Sequence, residues 1–132
     1  YVTKLSLENH VVFLGWITEP EKSLILKNSE IFAMTPTTVG ESVEGFGMAF
    51  IDAAFHGIPS VGSRSGGISD AIIENETGLL AEAGNQEEIT KKLTELLDNV
   101  ELRTKLGKRG KEIAESQYSW DNKIIEYLEA AN

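Results

Sequence analysis

The sequence has no cysteine, two histidines, three prolines and no apolar run near the ~20 residues a membrane-spanning helix needs. Without cysteine, disulfides, thiolate metal sites and cysteine nucleophiles are excluded. His10 and His56 stand far apart and lack the spacing of paired metal ligands. Basic side chains are also few: 12 Lys and Arg against 21 Asp and Glu give a formal net charge of −9. Such an acidic chain does not fit a nucleic-acid binder, because backbone-phosphate binding draws on clustered Lys and Arg. The first residues carry no signal-peptide pattern. What is present suits one folded domain at most: 132 residues, 41% hydrophobic and 25% charged. The chain opens on Tyr1 and not Met, and it reads as a piece of something longer.

Short apolar runs alternate with helical patterns. Val11-Val12-Phe13-Leu14, Ile31-Phe32-Ala33-Met34, Pro59-Ser60-Val61-Gly62 and Gly78-Leu79-Leu80-Ala81 are apolar on both faces. That pattern predicts strands of a parallel sheet covered on both sides. Helices are expected over Glu21 to Ser29 behind Pro20, over Gly47 to His56 with Gly57 as C-cap, and over Ile68 to Glu74. Beyond Ala81 the chain reads as helical. Ile89, Leu93, Leu96, Leu97 and Val100 form one apolar stripe, and Leu102, Leu106, Ile113 and Ala114 a second. Ser119 is positioned to cap a last helix carrying Ile124, Ile125, Tyr127 and Leu128. Strand–helix alternation implies right-handed crossovers and a Rossmann-like parallel α/β sheet with helices on both faces.

In open α/β sheets, ligands bind beyond the carboxyl ends of the strands. This points to Gly15-Trp16-Ile17, to Thr35 through Gly47 and to Gly62 through Gly67. In the second segment Glu44-Gly45-Phe46-Gly47 leads straight into a helix, and glycines there let a ligand reach exposed N–H groups at its positive end. The helix that follows, Met48 to Phe55, is apolar except at Asp52. A carboxylate in such a helix needs a hydrogen-bonding partner. Ligand hydroxyls or backbone N–H groups would serve, and so would a nearby loop with no ligand at all. Glu44 is equally readable as a solvated loop charge. Gly66-Gly67 makes either a second anion loop or simply a tight turn, and Arg64 beside it is more often a surface residue than a phosphate grip.

From Glu44 to Gly78 the sequence resembles the retaining glycosyltransferases of the GT4 type, which share the GT-B architecture of two facing Rossmann-like domains. The family pattern is E-G-F-G, a second acid after seven intervening residues, a small-residue helix, G-x-P-V-I, a G-G-x-x-E loop and G-x-x-G-L-L. Here it reads Glu44-Gly45-Phe46-Gly47 with Asp52, then Gly57-Ile58-Pro59-Ser60-Val61, Gly66-Gly67-Ile68-Ser69-Asp70, and Glu76-Thr77-Gly78-Leu79-Leu80. Val12-Phe13-Leu14-Gly15 and Tyr118-Ser119-Trp120 are further landmarks. Asp52 and Asp70 replace the Glu more usual at both places.

The resemblance implies that residues 1–132 are part of a C-terminal, nucleotide-sugar-binding domain, the C-terminal half of a GT-B fold. Its first strands, with their basic diphosphate clamp, and the acceptor-binding domain would be missing. In a 3-2-1-4-5-6 sheet that loss would separate Val11–Leu14 from Ile31–Met34. The chain must then pair the two runs directly, borrow strands by self-association, or leave edges open. By the same resemblance, Glu44 contacts the transferred sugar, and N–H groups of Gly45, Phe46, Gly47 and Met48 hold sugar and phosphate. Asp52 binds the ribose, Trp16 and Ile17 border the base, and Gly66 and Gly67 lie near the donor sugar. A hexose of the mannose or glucose class would pass from a UDP- or GDP-sugar to an acceptor hydroxyl, with no metal and no cofactor, in the cytoplasm. The chain by itself would be inactive. The alternatives are a sugar-nucleotide epimerase of GT-B fold, a phosphorylase (for which Lys91 and Lys92 are poorly placed) and a non-catalytic interaction module. Arg103, Lys105, Lys108 and Arg109 make a basic stretch open to peripheral contact with anionic lipid at a cytoplasmic membrane face. Pairing with Glu95, Asp98 and Glu101 on a solvated helix is the simpler account.

Overall fold

The computed structural model describes residues 1–37, 45–119 and 124. After a short 3-10 turn at Thr3–Leu5, the elements run α1 (Glu19–Lys27), β1 (Phe32–Met34), α2 (Met48–Phe55), β2 (Ser60–Arg64), α3 (Ile68–Ala71), β3 (Gly78–Glu82), α4 (Gln86–Asp98) and α5 (Val100–Gln117). The strands form a parallel sheet in the order β1-β2-β3, with Phe32 opposite Ser60 and Ser60 opposite Gly78. Parallel neighbours need crossovers, and α2 and α3 supply them.

Alternation along the strands sends adjacent side chains to opposite faces. Leu80, with the partly buried Phe32 and Met34, meets Phe50 of α2 and Ile68 and Ile72 around α3. Val61 and Leu79 face the other way, onto Leu96 of α4 and Leu106 of α5. Leu26 of α1 joins Ala53 and Ile58 in a third cluster beside Phe32. The expected parallel α/β sheet forms, with β2 and β3 buried on both faces, whereas in β1 Ala33 is exposed.

Local chemistry sets the helix ends. The Thr18 backbone N–H and hydroxyl both donate to Glu21 Oε2, at 2.7 and 2.8 Å, and Pro20 sits in the first turn of α1. Asn85 and Asn99 accept from Glu88 N and Leu102 N and so start α4 and α5. At that corner Arg103 Nη1 donates to the carbonyls of Leu96 and Leu97, the last turn of α4.

Two expectations change. Val11–Leu14 is not a strand: it has no ladder partner, and Val12 and Phe13 are 80% and 81% exposed. A β-rich run needs a neighbouring strand for its backbone groups, and β1 pairs only with β2 among the described residues. Of the three outcomes open to this run, direct pairing with β1 is the one the fold does not take. The helix from Ile68 stops at Ala71, because Ile72 turns to extended backbone and buries its side chain in the core. Glu74 then bridges to Gly78, and Ile73 N donates to Thr77 Oγ1. The proposed last helix falls outside the described residues except for Ile124, which is exposed.

Candidate functional site

In this topology each helix preceding or joining parallel strands runs back against them, so α1 and α2 both begin where the strands end. The carboxyl ends of β1 and β2 are tied there by the buried Ser63, whose hydroxyl donates to the Pro36 carbonyl. The two glycine-rich segments meet at the same end. A Cβ on Gly67 would lie 1.8 Å from the Gly45 carbonyl oxygen and 3.2 Å from the Phe46 Cα, so the backbone of one segment rests directly on the other. Gly47 is the N-cap of α2 with φ +75°, a left-handed conformation that L side chains rarely adopt. Behind these glycines the Phe46 and Tyr118 rings pack at 5.7 Å between centroids. Gly45 and Met48 are exposed, and the Met48 and Ala49 N–H groups precede the first backbone bond of α2, which Phe50 N donates to the Gly47 carbonyl. Of the sequence-predicted residues, Gly45, Phe46, Gly47, Met48 and Gly67 thus come together at the start of α2, with Gly66 beside Gly67 in the chain.

Asp52 lies four residues into α2, about 6 Å along its axis from Met48. Its partner is neither a loop nor a backbone N–H: Lys22 Nζ of α1 sits 2.8 Å from Asp52 Oδ2 and 2.7 Å from Glu19 Oε2. The Asp52 carboxylate, then that of Glu19, push the Lys22 pKa up to about 12. A second link runs alongside. His56 Nδ1 is 2.8 Å from the Asp52 carbonyl oxygen, and its Nε2 is 2.9 Å from Ser23 Oγ. The carbonyl can only accept, so Nδ1 donates to it, while Nε2 shares a hydrogen bond with the Ser23 hydroxyl.

The remaining site predictions separate. Trp16 is fully exposed and Ile17 partly buried just ahead of α1. Glu44 lies outside the described residues. Arg64 does not face a ligand alone: Glu74 holds it at 2.6 Å and Glu82 at 3.3 Å, which is the surface reading. The basic stretch of α5 also pairs with acids: Arg103 with Glu30, Arg109 with Glu76 and Glu112, and Lys111 with Glu115. These partners differ from the expected Glu95, Asp98 and Glu101, and Arg103 is largely buried, with its side chain 14% exposed. Sequence reasoning missed Lys22, Ser23 and His56. The four-residue step from Asp52 to His56 was a visible signal; the approach of α1 was not. Among the described residues no helix is long and apolar enough to cross a membrane, and no three His, Asp or Glu side chains gather to hold a metal ion.

Known proteins share the family and the fold. A GDP-mannose-dependent alpha-(1-6)-phosphatidylinositol monomannoside mannosyltransferase of Mycobacterium tuberculosis is 29% identical over 125 residues, covering 91% of this chain and 32% of that protein. An uncharacterized glycosyltransferase of Methanocaldococcus jannaschii is 31% identical, covering 95% and 34%. The chain therefore spans about a third of the length of these relatives. The crystal structure of Anabaena HepE in complex with UDP-glucose shares the fold, with a TM-score of 0.83 over 99% of this chain and 35% of that one at 22% identity. The description "Glycosyl transferases group 1" matches residues 1–113, and the chain belongs to that glycosyltransferase family.

Proposed function

We propose that this chain is the donor-binding part of a retaining hexosyltransferase. It would hold a UDP- or GDP-sugar while the hexose passes to an acceptor hydroxyl, and the acceptor-binding part would lie on the other side of the cleft. The observation that carries this reading is the seating of Gly67 on the Gly45 carbonyl at the start of α2, where the parallel strands end. Two glycine segments with no side chains between them open backbone N–H groups to a phosphorylated ligand. Relatives that differ in donor, GDP-mannose by name in one and UDP-glucose by complex in the other, leave both nucleotides to be tested.

In this reading the diphosphate lies against the N–H groups from Gly45 to Met48. When the nucleoside diphosphate departs, negative charge grows on its leaving oxygen. Amides and the helix dipole already aimed at that point stabilise the charge without reorganising. Glu44 contacts hydroxyls of the transferred sugar and orients it; it is not assigned as a nucleophile. Asp52 accepts from the ribose hydroxyls, Trp16 and Ile17 border the base, and Gly66 lets its loop approach the sugar.

Calorimetric titration of the chain with UDP-glucose and GDP-mannose tests the reading, with saturable binding of one of them as the expected result. Heat from neither would contradict it and favour an interaction module that keeps the motif without the ligand. In the full-length protein Glu44→Ala should abolish transfer while the melting temperature holds; near-normal turnover would remove Glu44 from the site.

A further inference from the structure

We infer that Lys22 is a positioning residue for donor recognition: it holds the Asp52 carboxylate in the one orientation that meets the ribose hydroxyls. The inference rests on the proposed role of Asp52 as ribose acceptor. Asp52 is the one charged residue on an otherwise apolar helix, and its carboxylate has two oxygens. Lys22 takes Oδ2 at 2.8 Å from the neighbouring helix, which restrains that oxygen and leaves Oδ1 to meet a ligand. Both side chains are little more than a third exposed, so the ion pair is sheltered but reachable by a ligand. Glu19, at 2.7 Å on the far side of the ammonium, anchors Lys22 in turn, and the Thr18–Glu21 hydrogen bonds set the start of the helix that carries both. The Ser23–His56–Asp52 carbonyl link holds the backbone under the carboxylate. An aspartate is one methylene shorter than a glutamate, so where it stands matters more; the lysine supplies that constraint from outside the helix.

Binding of UDP and GDP is compared with that of their 2′-deoxy forms, in the full chain, for wild type, Asp52→Ala, Lys22→Met and Lys22→Arg, with melting temperatures alongside. Wild type should prefer the ribonucleotide about tenfold or more, the effect of one hydrogen bond to a charged acceptor. Asp52→Ala, which removes the acceptor, should erase that preference, Lys22→Met should reduce it to within about threefold, and Lys22→Arg should restore most of it. Fold stability alone would not select against one missing hydroxyl. If Asp52→Ala loses the preference while Lys22→Met keeps it, the positioning role is overturned and the ribose reading stands. Should Asp52→Ala keep the preference, or wild type bind no nucleotide, the ribose reading itself fails. Lys22→Gln, which keeps the stem and a donor, replaces Lys22→Met if that variant does not fold.

Discussion

A methyl group at Gly67 would have to displace the Gly45 carbonyl, and with it the entry to α2. Gly67→Ala should therefore cost about 1–3 kcal/mol, read as a lower denaturant midpoint, and weaken nucleotide binding beyond what the lost stability explains. An unchanged midpoint would mean the two segments are not in contact. Glu21 offers a second residue-scale prediction, with its sign set by hydrogen bonding. The Thr18 backbone N–H, then its hydroxyl, hold the Glu21 carboxyl below its ordinary value of 4.5. A lowered folded pKa gives stability that is complete above the unfolded value and is lost as pH falls through the folded one. Melting temperatures of wild type and Glu21→Ala should thus differ near neutral pH and converge well below pH 4.5; a gap that persists in acid would rule out the carboxylate as its source. At this scale the sequence was half legible. That Asp52 needs a partner follows from the apolar residues around it. That the partner is Lys22, 30 residues earlier, depends on how α1 docks and leaves no local mark. Gly66-Gly67 was readable as a turn, but the close approach that excludes a side chain at Gly67 belongs to tertiary structure.

The corner between α4 and α5 rests on two side chains, Asn99 and Arg103. Asn99 ends the first helix and caps the second through Leu102 N at 2.9 Å, while Arg103 binds the last carbonyls behind it. Asn99→Ala should destabilise by about 1 kcal/mol, seen in thermal melts, and Asn99→Asp should recover most of the loss; equal loss in both would point to a backbone effect at Asn99 instead of its cap. Burial that repeats with the helix period made Leu93, Leu96 and Leu106 legible, whereas Leu97 and Val100 of the same expected stripe are exposed. Short elements were not legible. Ile68 to Glu74 has a helix-like beginning, yet the core draws Ile72 inward and Glu74 into a bridge, so the helix closes after four residues. Val11–Leu14 shows the opposite failure: its β propensity is real, but a strand is a property of a pair.

Over the whole molecule, the unpaired run makes a prediction of its own. Val12, Phe13, Leu14 and Trp16 stand largely in water, consecutive or nearly so, on a chain whose sheet keeps β1 at an edge. Contiguous exposed apolar surface and an open strand edge both favour contact with another chain. The net charge of −9 opposes close approach of two copies, and salt screens that repulsion more than it weakens apolar burial. The chain on its own should therefore associate reversibly, and more strongly as salt is raised. Sedimentation velocity over a dilution series at low and high salt would read this as a concentration-dependent sedimentation coefficient. Replacing Val12 and Phe13 together by Lys, a residue that blunts strand edges, should return a single monomer species at both salt levels. Because neither residue lies among those assigned to the donor, nucleotide affinity should stay as it was. A wild-type chain that remains monomeric in high salt would mean the run is covered by its own fold, and association persisting in the double variant would place the contact elsewhere on the surface.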